Sequence, residues 1–276
     1  MATIVIKIGG GEGIDPTSAT AEIAELVGDG HRIVLVHGGS HETNQLAHAL
    51  GHPPRTINSP GGRQSRRTDR RTLEIFEMAY CGKVNKAVVE SLRRSRVDAV
   101  GLSGLDAGVW VGSRKSAIRA VEDGRTVLIR DDLSGRVESV DTEFLGMLLG
   151  SGRLPVLTPP AVTPDGVAIN VDADRAAAAT AAALQADELL LLSNVPGLLR
   201  DAEDASSLLT TVDHSSIEQA RSAANGRMKN KVLAAEEALR GGVGQVVIGS
   251  ARGSNAIADA RNGLGTRFLA TQSVNA

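Results

Sequence analysis

The chain has 276 residues, with 30 Lys+Arg against 32 Asp+Glu and a formal net charge of −2. With 42% apolar and 22% charged residues, it has the make-up of an ordinary folded protein, and no window approaches the ~18 apolar residues needed to cross a bilayer. A pI near 6.3 and an aromatic content of 2% argue against a nucleic-acid surface, which needs excess positive charge and stacking rings.

Short β-branched runs bounded by Gly, Pro or Asn alternate with longer helical stretches. Strands are expected at 4–8, 32–36, 99–102, 154–157, 188–192 and 245–248, and helices at 16–27, 41–50, 72–94, 142–149, 175–184 and 228–240. The strand runs are continuously apolar rather than alternating, the signature of strands covered on both faces. The expected fold is α/β, a three-layer αβα sandwich with a mainly parallel central sheet. Asp15-Pro16 reads as a cap with a first-turn proline, and Gly241 as a C-terminal stop. Short strands at 109–112, 120–121 and 127–130, the last two joined through a turn at Glu122-Asp123-Gly124-Arg125, suggest a β-hairpin insertion. The chain reads as one domain, 1–276, whose two lobes (about 1–160 and 161–276) divide near Pro159-Pro160. Cys81 is the single cysteine and cannot form an intrachain disulfide. With no metal-ligand spacing and no basic stretch before the first apolar run, this points to the cytoplasm.

Two glycine clusters follow the first two strands, Lys7-Ile8-Gly9-Gly10-Gly11 and His37-Gly38-Gly39-Ser40. Parallel sheets bind ligands beyond the carboxyl ends of their strands. Glycine there lets backbone approach phosphate, and helix-start N–H groups favour an anion. Either cluster alone is more often merely a tight turn; two of them, one beside a lysine, favour phosphate. Neither fits G-x-x-x-x-G-K-[ST] or a G-x-G-x-x-G that opens directly into a helix. Farther on, Asn170 is suited to orienting polar groups, and one of Asp172 and Asp174 caps the alanine-rich helix. Asn194 ends a strand before Pro196-Gly197, and Lys231 offers a second cation.

The ordered set Lys7-Ile8-Gly9-Gly10, His37-Gly38-Gly39, Arg66-Arg67-Thr68-Asp69, Leu102-Ser103-Gly104-Leu105-Asp106, Ala168-Ile169-Asn170, Ser193-Asn194-Val195-Pro196-Gly197 and Gly226-Arg227-Met228 through Lys231 resembles the amino acid kinase superfamily. Within it the chain is most similar to the acetylglutamate kinase group, in the branch of [LysW]-aminoadipate and [LysW]-glutamate kinases. The resemblance implies ATP-dependent phosphorylation of a side-chain carboxylate of aminoadipate or glutamate held on an amino-group carrier protein, giving an acyl phosphate. It assigns Lys7, Lys231 and Asp174 to catalysis, and Gly38, Gly39, Ser40, Arg66 and Asn170 to the acceptor. Gly9, Gly10, Ser193, Asn194, Gly197, Leu198 and Met228 fall to the nucleotide. Mg²⁺ would ride on ATP oxygens, needing no protein cage. Two departures from acetylglutamate kinases, Ser40 for a third glycine and Asn194 for an aspartate, are shared with the carrier-protein branch.

Residues 55–71 hold six arginines against Asp69. This is either a solvated helix start or, with Arg63, Arg67, Arg70 and Arg71, a docking surface for an acidic carrier protein. The 72–94 helix carries more apolar residues than one stripe needs, and family members pair through it, so a homodimer is expected, with Cys81 buried and inert on that helix. No nucleic-acid or membrane partner is expected. The other readings are a kinase of free N-acetylglutamate and an inactive kinase fold serving as a regulatory binding module, which would turn over no ATP.

Overall fold

The computed structural model describes residues 1–60, 64–122 and 125–269; Gly61, Gly62 and Arg63, and the Asp123-Gly124 pair of the expected hairpin turn, lie outside them. In chain order the elements begin with β1 (Thr3–Ile8), α1 (Thr20–Gly28), β2 (Arg32–His37), α2 (Ser40–Ala49), β3 (Thr56–Asn58) and β4 (Gln64–Arg66). Then come α3 (Arg70–Glu77), a π-helical stretch (Met78–Val84), α4 (Asn85–Arg94), β5 (Ala99–Ser103), β6 (Trp110–Arg114), β7 (Ile118–Glu122), β8 (Arg125–Ile129) and β9 (Gly135–Val140). They are followed by α5 (Thr142–Gly150), β10 (Leu154–Thr158), β11 (Ala161–Val162), β12 (Ala168–Ile169), α6 (Ala173–Ala183) and β13 (Glu188–Ser193). The last are β14 (Thr211–Val212), α7 (Ile217–Ala223), α8 (Met228–Arg240), β15 (Gln245–Ser250), α9 (Ala256–Arg261) and β16 (Thr266–Leu269).

One sheet runs through the molecule in the order β14-β16-β15-β13-β1-β2-β10-β5. Every neighbouring pair is parallel except β15 with β16. Strand parity divides the core. Val5, Val34, Val36, Leu189 and Leu191 pack toward α5, α6, α7 and α8, whereas Ile4, Ile6, Ile33, Leu35, Leu190 and Leu192 pack toward α1, α4 and α9. Both faces are apolar because both are covered, which makes this the three-layer αβα arrangement. A smaller sheet, β12-β11-β6-β9, lies over α6, to which the buried Trp110 ties it by donating its indole N–H to Thr180 Oγ1 at 2.9 Å. The β3–β4 and β7–β8 hairpins share the small cluster of Ile57, Ala120 and Ile129.

The structure departs from these expectations in three ways. Helix α1 starts at Thr20 rather than at Pro16, because Asp15 Oδ1 accepts from the Thr17 N–H and hydroxyl and closes a turn instead of capping a helix. The 72–94 segment is interrupted by the π-helical stretch. Its apolar load is consumed inside the chain: Leu73, Phe76, Tyr80, Val84, Val88 and Leu92 are all buried, and Met78 stays exposed. Strands β9 and β16, short or alternating with polar residues, were not expected from the sequence.

Candidate active site

The carboxyl ends of β1, β2 and β13 open into a cleft of about 1230 Å³. Three helix N-termini, those of α2, α6 and α8, point into it through Ser40, Ala173 and Met228, so their unpaired N–H groups and dipoles favour an anion there. Lys7 has the same parity on β1 as Val5 and so faces the α6–α8 side of the sheet. Its Nζ lies 2.6 Å from Asp174 Oδ1, and Lys231 Nζ, from the first turn of α8, lies 2.8 Å from Asp174 Oδ2. All three side chains are buried.

The two aspartates at the start of α6 have separate tasks. Asp172 is the N-cap: its Oδ1 accepts from the N–H groups of Asp174 and Arg175, and its Oδ2 accepts from Asn230 Nδ2 at 2.9 Å, tying α6 to α8. Asp174, two residues on, is therefore left to the lysines. Burial opposes ionisation of the Asp174 carboxyl, but the charges of Lys231 and Lys7 and their hydrogen bonds outweigh it and hold it well below the usual carboxylate range. Burial likewise pulls Lys7 down, and the Asp174 charge more than restores it, leaving Lys7 above its ordinary value. For Lys231, burial and the Lys7 charge win over Asp174, so its ammonium sits below the usual lysine range. Two cations sharing one anion leave a net positive charge facing the cleft.

The glycine clusters interlock. Gly38 N donates to Ile8 O at 2.9 Å, and Gly10 O accepts from His41 N at 2.8 Å and from Ser40 Oγ at 3.0 Å. A Cβ on Gly10 would stand 2.1 Å from Gly39 N and 2.2 Å from Gly38 C, so no other residue fits without moving that backbone. Beneath them the buried His37 ring bonds Gly38 O through Nδ1 (3.0 Å) and meets Asn85 Nδ2 through Nε2 (3.1 Å). Burial lowers its pKa to about 4, so the imidazole is neutral at physiological pH.

Arg66, at the end of β4, donates through Nη2 to Asn44 Oδ1 at 2.5 Å, and its buried Nη1 has no partner. Burial first, and then the charge of Arg227, act against its own charge; an anion is what the position lacks. Asn170 Nδ2 donates to Thr68 Oγ1 at 3.0 Å. Ser193, Asn194, Gly197, Leu198 and Met228 also line the cleft, and the buried Ser193 Oγ has no partner.

Of the residues singled out from the sequence, Lys7, Gly9, Gly10, Gly38, Ser40, Arg66, Asn170, Asp174, Ser193, Asn194, Gly197, Leu198, Met228 and Lys231 share this one cleft. Gly39 is set back from its wall, with a Cβ there meeting the Tyr80 ring at 2.9 Å. The docking arginines do not form one set. Arg67 is committed internally, to Asp131 at 2.5 Å and Asp132 at 3.6 Å; Arg70 and Arg71 are exposed on α3, and Arg63 lies outside the described residues. Cys81 is half-buried, and burial pushes its thiol up to about 12, so little reactive thiolate forms. Sequence reasoning gave Asn44 and Tyr80 no place in the site, yet both line the cleft, as do Arg227 of the last motif and Arg55 and Lys115 of the basic region. Asn44 was findable, one helical turn after Ser40 and on the same face.

Residues 2–250 match the model of the amino acid kinase family. The chain is 55% identical over 263 residues to a [LysW]-aminoadipate kinase of Deinococcus radiodurans, covering 95% of this chain and 90% of that protein. It is 50% identical over 265 residues to a [LysW]-aminoadipate kinase of Thermus thermophilus, covering 95% and 98%. Among solved structures it is similar to an N-acetylglutamate synthase from Neisseria gonorrhoeae (TM-score 0.78, 26% identity), which covers 97% of this chain while this chain spans 59% of that longer one.

Proposed function

Because the chain belongs to the amino acid kinase family, we propose that it moves the γ-phosphoryl group of ATP onto the side-chain carboxylate of aminoadipate, or of its shorter homologue glutamate, presented on a LysW-type amino-group carrier protein. The observation that carries the chemistry is the convergence of Lys7 and Lys231 on Asp174 at the base of a cleft ringed by helix N-termini. The carrier-linked acceptor follows the likeness to the two [LysW]-aminoadipate kinases.

Phosphoryl transfer passes through a loose transition state with charge spread over three equatorial oxygens, so cations and fixed N–H donors do most of the work. Asp174 keeps both ammonium groups charged and aimed at one point before any substrate arrives. An acceptor carboxylate oxygen attacks the γ-phosphorus in line as the bond to the β,γ-bridging oxygen breaks and ADP leaves. A carboxylate is already ionised near pH 7, so no general base is required, and both Asp174 oxygens are taken by lysines. Arg66 and Asn170 hold the amino-acid part of the acceptor. Gly9, Gly10, Ser193, Asn194, Gly197, Leu198 and Met228 hold the nucleotide. In this reading the lobe up to about residue 160 carries most of the acceptor site, joined by Asn170, and the remainder carries most of the ATP site, joined by Gly9 and Gly10. Mg²⁺ enters with the nucleotide. Held with the nucleotide, it would take phosphate oxygens and keep most of its waters. When bound it neutralises charge on those oxygens.

Docking of an acidic carrier rests on the exposed Arg70 and Arg71, with Arg55 and Lys115 at the rim of the cleft; Arg67 serves the fold instead. The enzyme acts in the cytoplasm in this reading, and as a homodimer on the family likeness alone, since most of the apolar side chains of 72–94 are buried within the chain; light scattering on a size-exclusion column reads its mass.

The deciding experiment traps the acyl phosphate with hydroxylamine, comparing carrier-linked aminoadipate, carrier-linked glutamate and free N-acetylglutamate. The carrier-linked acceptors are expected to be turned over far better. Arg70→Ala with Arg71→Ala is expected to lower kcat/KM for them at low salt, and added salt to erase the difference. Preference for the free metabolite, or no turnover at all, refutes the reading.

A further inference from the structure

Tyr80 is the only tyrosine in the chain, and its position is odd for a core aromatic. Its ring is buried yet lines the cleft. The ring leaves the helix within the π-helical stretch, a widened turn that is frequent at functional sites. It is clamped on both faces. Phe76 stacks on it at 3.8 Å between centroids, and the Cα of Gly39 leaves too little room for even a methyl group, which would sit 2.9 Å from the ring. The orientation of the hydroxyl is therefore set by packing before anything binds.

Tyr80 lines the cleft together with Arg66 and Lys7, whose charges both act on its hydroxyl. The hydroxyl is at the cleft wall and is free to act as a donor to a bound group. Among the described residues no acceptor takes it. Burial raises the phenol above its ordinary value, so the proton stays on at working pH. Packing against Phe76 and Gly39 would be served equally by phenylalanine; the oxygen, on a ring that lines the cleft, is the part that packing does not explain. Arg66 marks the end of the cleft that holds the amino-acid part, and Lys7 marks the point of transfer. A hydroxyl that shares the cleft with both is suited to the acceptor's own side chain.

We infer that Tyr80 is a substrate-contacting residue, its hydroxyl donating a hydrogen bond to the acceptor carboxylate and holding one oxygen while the other attacks. This rests on the phosphoryl-transfer reading above. Such a bond to a charged acceptor would be lost in Tyr80→Phe with the ring still in place. The variant is expected to lose about 10- to 100-fold in kcat/KM for the carrier-linked acceptor, while KM for ATP and the thermal midpoint stay near wild type. The chain's single tyrosine also permits a measurement that needs no turnover: protein labelled with ¹³C at tyrosine Cζ gives one ring-carbon signal. Carrier-linked aminoadipate should shift it, and a non-hydrolysable ATP analogue alone should leave it unmoved. Wild-type turnover with an unchanged Tyr80→Phe variant, or a signal unmoved at saturating acceptor, overturns the inference and leaves the kinase reading standing. A wild type that phosphorylates no carboxylate overturns both, and the wild-type rate alone reveals that case.

Discussion

Replacing Asp174 by asparagine keeps the shape of the site and removes its one shared anion. The carboxylate lies 2.6 Å from Lys7 Nζ and 2.8 Å from Lys231 Nζ. Two ammonium groups bridged in this way sit roughly 5 Å apart and repel by about 3 kcal/mol at an effective dielectric of about 20. Removing one partner from a buried ion pair costs about 3–5 kcal/mol. The cost has a ceiling, because Lys231, already below the usual range, can release its proton; pushing a lysine from about 10.4 to neutrality costs roughly 5 kcal/mol. A loss of about 3–4 kcal/mol corresponds to a midpoint lower by roughly 6–15 °C for a chain of this size. We expect kcat to fall about a hundredfold or more, since the lysines lose both charge and aim, while ATP binds no more weakly, the cleft having become more positive. The pH dependence gives the sign. Asp174 is depressed below its unfolded value of 3.8, so its contribution is complete above that value and is lost as pH falls through the folded one. The gap in midpoint between wild type and Asp174→Asn should be full at pH 7 and shrink as pH drops below about 4. Scanning calorimetry from pH 2.5 to 8, with initial rates at pH 7.5, tests it; equal midpoints at pH 7, or a gap unchanged at pH 2.5, would refute the argument.

Two further outcomes follow from the same site. Gly10→Ala drives a methyl into the Gly38–Gly39 backbone, at 2.1 Å from Gly39 N; it should cost about 1–3 kcal/mol of stability and about a hundredfold or more in rate. Gly28→Ala, with open space around its Cβ, is the control and should change neither. The kcat/KM for ATP should have an alkaline limb that begins below the ordinary lysine value of 10.5, because Lys231 is lowered by burial and by Lys7, and Lys231→Arg should remove that limb while lowering the rate. A limb at or above 10.5 in the wild type would show that the shared carboxylate keeps both lysines equally charged.

The layered fold was legible because burial on both faces erases the alternation of polar and apolar residues; the six runs read as strands all lie in the central sheet. The site was legible where geometry follows from chain direction. Lys7 lies near the carboxyl end of a central strand, and parity with Val5 sends its side chain to the face that α6 and α8 cover. What could not be read were features that depend on partners distant in the chain. Arg67 looks like Arg70 and Arg71 until the loop at Asp131 and Asp132 is brought beneath it. The π-helical stretch keeps apolar residues about four apart, so the 72–94 pattern looks like one α-helix, and the apolar side chains that suggested a second subunit are covered by the chain's own sheet and loops.

The aspartates at 172 and 174 show how a local rule decides what composition leaves open. A helix N-cap must present its oxygen to N–H groups two and three residues on, and Asp172 does so toward Asp174 and Arg175. The residue two places into the helix has its own N–H satisfied by that cap, so its side chain is released from local duty. Only such a released carboxylate can serve two cations from other elements at once. Exchanging the order, with a non-capping residue at 172, would turn Asp174 back toward its own backbone and leave Lys7 and Lys231 repelling each other across the cleft. The pair acts as one device: the first aspartate fixes the start of α6 and, through Asn230, its distance from α8, and the second converts that fixed distance into two ammonium groups aimed at one point.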